Sequence, residues 1–115
     1  MIEYFRRESP YAYSQARRHQ RFVVDFMVRV RTTEARISDR AENLSEAGMA
    51  VRTVAPLPPM TLVQLTLELP HERAPVEVMG RVIWASHNAM GVRFEEVDSR
   101  VADCVDRLSR DADRL

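Results

Sequence analysis

Apolar and polar residues alternate through most of the chain between Phe22 and Phe94. Phe22, Val24, Phe26, Val28 and Val30 share one parity, while Asp25, Arg29 and Arg31 share the other. That period of two predicts a strand with one face on a core. A second strand is expected from about Ala35 toward Asn43, with a weaker pattern. Met49 to Val54 is a third, ended by Pro56-Leu57-Pro58-Pro59, which cannot continue a ladder. Val63, Leu65, Leu67 and Leu69 alternate with Gln64, Thr66 and Glu68 in a fourth, stopped by Pro70. Val76, Val78, Gly80, Val82 and Trp84 form a fifth. Ser86-His87-Asn88 reads as a tight connection into the sixth, which carries Met90, Val92 and Phe94.

After Phe94 the period changes. Val97, Val101, Cys104 with Val105, and Leu108 recur at helical spacing, and Asp98 or Ser99 stands where a cap belongs. The helix has one apolar stripe, suited to closing the end or side of a core. Six short strands separated by turn signals argue for an antiparallel sandwich or barrel. Closure removes unpaired edges, which favours the barrel. The expected fold is therefore mainly β: a six-stranded antiparallel β-barrel with a C-terminal α-helix. Residues 1–15 hold Tyr4, Phe5, Arg6, Arg7, Pro10, Tyr11 and Tyr13 without a clean period. They are expected to form a flexible N-terminal arm before a domain spanning 16–115. On the same reasoning Trp84 fills the barrel end, and Met49, Met79 and Met90 fill the core.

Composition narrows the class. A chain of 115 residues, 45% hydrophobic and 30% charged, fits one domain with a modest core. It contains no apolar run near the ~18 residues of a spanning helix and no signal-like N-terminus, so membrane insertion is not expected and a cytoplasmic location is. Cys104 is the only cysteine, which rules out an internal disulfide and suits a small buried residue. His71 and His87 lie in separate turns with no ligand pattern around them, so no metal site is expected. Net charge is zero but uneven: Met1 to Arg31 carries seven arginines against three acids, and Glu95 to Leu115 seven acids against four arginines. The basic front points to an anionic partner. Every basic residue is Arg and none is Lys, so position rather than count must carry that argument.

Two stretches have chemistry in their spacing. Asn43-Leu44-Ser45-Glu46-Ala47-Gly48 sets a carboxamide, a hydroxyl and a glycine at fixed offsets. In an extended chain Asn43 and Ser45 share a face, and Gly48 allows a bend or a close approach. The same residues also make ordinary turns, and both readings stand on the residues alone. Arg17-Arg18-His19-Gln20-Arg21 precedes the first strand, with Arg17 and Arg21 four apart. A guanidinium can hold a phosphate bidentately, bond O6 and N7 of guanine, or stack on a base.

Together these stretches resemble the RxxxR and (D/N)xSxxG motifs of PilZ domains. Gly80-Arg81-Val82-Ile83-Trp84 and Gly91-Val92-Arg93-Phe94 resemble that family's late strands, so the likeness runs from about Ala16 to Leu108. Asn43 stands where Asp is commoner, and Ala47 where a second Gly is frequent. The resemblance implies a six-stranded barrel that binds the bacterial second messenger cyclic di-GMP. By position, Arg17 and Arg21 would grip phosphate and guanine, and Arg18 would stack or touch phosphate. Asn43 and Ser45 would bond a guanine edge, and Gly48 would give it room. The ring of Trp84 has a second possible role at the ligand's border. The family implies a non-catalytic receptor without cofactor or metal, relaying the signal to an effector protein in motility or biofilm control. A nucleotide-independent PilZ-like interaction module is the alternative, against which the retained arginines count. A small barrel binding RNA or single-stranded DNA comes last, since strand-borne aromatics are few and net charge is zero.

Overall fold

The computed structural model describes residues 20–113. Among the described residues, seven strands precede one helix: β1 (Phe22–Val23), β2 (Met27–Arg31), β3 (Arg36–Leu44), β4 (Gly48–Arg52), β5 (Leu62–Leu67), β6 (Val76–Ala85), β7 (Ala89–Phe94) and α1 (Ser99–Asp113). Every pairing is antiparallel. The ring runs β2–β5–β6–β7–β4–β3 and returns to β2, so six staves close the barrel. The expected barrel and C-terminal helix are both present.

One expected strand is broken. The run from Phe22 to Val30 becomes β1 and β2, which pair with different parts of β3. Val23 faces Asn43 and Met27 faces Arg40, so three residues, Val24 to Phe26, oppose only Ala41 and Glu42. Two backbone bonds carry the chain across this gap, from Val24 N–H to Glu42 C=O (3.2 Å) and from Ala41 N–H to Phe26 C=O (2.8 Å). On its other edge β3 shifts register against β4 between Ala41 and Asn43. A bulge on both edges bends the strand and re-aims the side chains there.

Alternation places the core as expected. Val28, Val30, Leu65, Leu67, Val82 and Val92 point inward and are almost wholly buried; each such side chain is worth about 1.5–3 kcal/mol. The helix caps on Asp98, whose Oδ1 accepts the Arg100 N–H at 2.8 Å, while Val101, Cys104 and Val105 pack on the barrel core. Arg100 side-chain bonding holds the Asp98 carboxyl below its ordinary pKa, despite some opposing burial. Burial raises the Cys104 thiol, as suits a packing residue rather than a nucleophile.

Two apolar assignments fail. Met49 and Met90 are buried, but Met79 lies on the outer face between inward Val78 and Gly80. Val97 precedes the helix and is 66% exposed. Among the described residues, no helix is long and apolar enough to cross a membrane.

Candidate functional site

The Asn43–Gly48 stretch is a β3–β4 hairpin turn. Ser45 N–H bonds the Gly48 C=O (2.8 Å), and Ser45 Oγ accepts the N–H groups of Ala47 (3.1 Å) and Gly48 (3.2 Å). Ser45 is 3% exposed, so its hydroxyl satisfies donors that the tight reversal would otherwise orphan. Gly48 has no positive φ. Its missing Cβ serves a neighbour instead: an added methyl would meet the Val92 carbonyl oxygen and come within 3.2 Å of Arg93 Cα. The close approach at Gly48 is that of β7.

Asn43 does something different. Its Oδ1 accepts the Ala50 N–H at 3.2 Å and an Arg21 Nη1 donor at 3.3 Å. The bond to Arg21 spans 22 residues and brings the end of the basic stretch onto the outer wall of the barrel. Of the expected site residues, Arg21, Asn43, Ser45 and Gly48 therefore lie at one place. Arg17 and Arg18 lie outside the described residues, as does the arm at 1–15.

The register extends this place across the sheet. Val23 pairs with Asn43, Asn43 with Ala50, Ala50 with Gly91, and Gly91 with Trp84. Val51 and Met49 point inward, so Ala50 and its partners face outward. A shift between Val82 and Trp84 turns the indole out of the barrel and over Gly91, where a Cβ would collide with it. Trp84 thus lies partly exposed on the outer wall instead of filling the barrel end. Ala50 and Gly91 are themselves covered, Ala50 at 1% exposure and Gly91 beneath the Trp84 indole, and their small size keeps the middle of the row flat. Strict alternation hides the row, because the bulge that exposes Trp84 reverses the phase.

Beside the row lies a hollow of about 310 Å³, lined by Val23, Val24, Asp25, Arg40, Ala41, Glu42 and Arg52. Arg40 and Arg52 oppose each other in the β3–β4 ladder, an arrangement that repels unless compensated. Each has an acid: Arg40 pairs with Asp25, and Arg52 Nη2 meets Glu42 Oε2 at 3.0 Å. Among the described residues, no group of three His, Cys, Asp or Glu could hold a metal ion. The chemistry on offer is an outward platform with guanidinium and carboxylate groups at its edge.

Comparison with known proteins gives these features a family. The sequence matches the PilZ domain over residues 15–111. No curated protein sequence matches the chain. Among solved structures, the Bacillus subtilis inhibitor of motility (MotI/DgrA) is similar with a TM-score of 0.70 and 18% identity, over 84% of this chain and 51% of that one. The chain therefore spans about half the length of that protein. The PilZ domain of YcgR from Escherichia coli, solved with c-di-GMP, is similar at TM-score 0.67 and 18% identity, over 84% of this chain and 93% of that one. The PilZ domain of CeSA from a cellulose-synthesizing bacterium follows at 0.60 and 22%, over 77% and 93%. At these identities the structural likeness is one of fold; the sequence match carries the assignment. The chain belongs to the PilZ domain family.

Proposed function

We propose that this chain is a non-catalytic receptor for cyclic di-GMP, the ligand held by the YcgR domain it resembles in fold. The observation that carries the reading is the Arg21–Asn43 hydrogen bond, which joins the RxxxR stretch to the NxSxxG turn on the outer wall. Arg17 and Arg18, with Arg21, supply cations for the two phosphodiesters, since a guanidinium fork matches phosphate geometry. Asn43 and Ser45 set the shape of the platform, and Gly48 keeps β7 close beneath it. Trp84, three strands from Asn43 along the same row, offers a ring against a base. Ligand binding orders the basic stretch against the barrel, and the changed surface is what an effector protein reads. The reading requires no metal and no cofactor.

Calorimetric titration with cyclic di-GMP, using GTP and cyclic di-AMP as controls, tests this. Selective binding is expected, with Arg21→Ala weakening it by at least ~2 kcal/mol through loss of a charge-assisted contact. The Arg17→Ala/Arg21→Ala pair should abolish it. Wild-type protein that gives no heat and no thermal shift would overturn the receptor reading in favour of a nucleotide-independent interaction module.

A further inference from the structure

A guanine base presents two donors side by side on its Watson–Crick edge, N1–H and the N2 amine, with the O6 acceptor next to them. Recognition of that edge needs a fixed acceptor, and a carboxylate supplies two oxygens. The obvious acceptors of the NxSxxG turn are already engaged. Asn43 Oδ1 takes the Ala50 amide and Arg21, and Ser45 Oγ takes two amides of its own turn while buried.

The residue just before Asn43 is placed differently. Glu42 lies where β3 shifts register, so its side chain leaves the regular pleat. It lines the hollow beside the Val23–Asn43–Ala50 row. Its ion pair with Arg52 runs through Oε2, and its side chain remains 41% exposed. Arg52 fixes the carboxylate and stands ready as a donor for O6. Val23, 91% exposed and on the wall of the same hollow, gives the flat face of a base something apolar to cover.

We infer that Glu42 is a specificity residue of this site, accepting the N1–H and N2–H groups of a guanine seated in the hollow beside Asn43. The inference rests on the receptor reading and adds a base-reading residue outside both motifs. It also explains discrimination. Adenine carries a lone pair at N1 and no amine at C2, so it would set an acceptor against the carboxylate, a repulsion that rejects the wrong base. A site built to bond a polar group rejects analogues lacking it far more sharply than an apolar pocket does.

The test is a cycle of protein and ligand changes. Wild type and Glu42→Gln are titrated with cyclic di-GMP and with cyclic di-IMP, the inosine analogue without the 2-amino group, and Arg21→Ala is run beside them. Wild type should prefer cyclic di-GMP by about tenfold or more, the range of one charge-assisted hydrogen bond. Glu42→Gln should lose about tenfold for cyclic di-GMP and bind the two ligands nearly alike. Glu42 is partly exposed, so the variant should fold, and an unchanged melting temperature checks that. If wild type binds cyclic di-GMP and Arg21→Ala loses it, yet Glu42→Gln keeps both affinity and preference, the inference is overturned while the receptor reading stands. Wild type that does not bind at all removes the receptor reading and this one together.

Discussion

Strand β3 ends in two turns built alike. At Thr32–Ala35, before β3, Thr32 N–H bonds the Ala35 C=O (2.9 Å) and Thr32 Oγ accepts the amides of Glu34 (3.1 Å) and Ala35 (2.9 Å). At Ser45–Gly48, after β3, the same three bonds recur with Ser45, Ala47 and Gly48 in the corresponding places. The turns differ in surroundings. Thr32 is only partly buried, whereas Ser45 is enclosed. Ala35 has room for its methyl, whereas Gly48 has none. A hydroxyl at the head of a four-residue reversal is thus a general solution to orphaned amides, and in the NxSxxG stretch Ser45 has that local task whatever it also offers a ligand. The distinctive member is Asn43, which reaches out of its turn to Ala50 and Arg21.

The sharpest way to break this parallel is at the fourth position. Gly48→Ala should destabilise the fold by about 3 kcal/mol, because the new methyl presses on β7 backbone that cannot move aside cheaply. Ala35→Gly should cost well under half of that. Urea unfolding of both variants measures the difference, and equal midpoints would mean β7 does not press on Gly48. The hydroxyls come next. Ser45→Ala should cost about 1–2 kcal/mol, since it strands two amides at a buried site, and Thr32→Ala about half as much because water can replace the lost acceptor. Cyclic di-GMP titration sharpens the result: the Thr32 variant should bind like wild type.

The smallest effect separates both turns from the helix cap built on a carboxylate. Asp98 is held below its ordinary pKa chiefly by its bond with Arg100. Its contribution is therefore complete above the unfolded carboxylate range near pH 4 and fades as pH falls through the lowered folded value. Wild type should lose more stability than Asp98→Asn on acidification through that window, because only the wild-type side chain takes up a proton there. Equal acid losses in the two proteins would remove the Asp98 carboxylate from the account of acid stability.

The strands were legible because a closed barrel imposes strict alternation on its staves. The break at Val24–Phe26 was not, since all three residues keep their apolar or polar parity through the interruption while the partner strand is one residue short. Trp84 shows the same limit from the other side: parity sends it inward, and a bulge after Val82 sends it out. Met79 departs from the expected core for another reason: its alternation with Val78 and Gly80 sets it on the outer face, and an apolar side chain there does not bring it inward. In the candidate site, the resemblance to the PilZ motifs singles out Arg21 and Asn43, which the fold brings into contact. The setting of Glu42 depends on a register shift and on Arg52 from the next strand, neither of which has a signature along the chain.

Ring closure has a kinetic consequence. Hairpins β2–β3, β3–β4, β5–β6 and β6–β7 can form from neighbours in sequence, but two seams join distant segments: β2 to β5, and β4 to β7. Each seam must overcome the entropy of closing a long loop before its contacts exist. A chain so dependent on non-local pairing belongs among the slow folders, in the millisecond-to-second range. Gly48 lies on the later of those seams in the sequence, facing Arg93. The position that crowds the finished barrel is also one the chain must bring together across a long excursion.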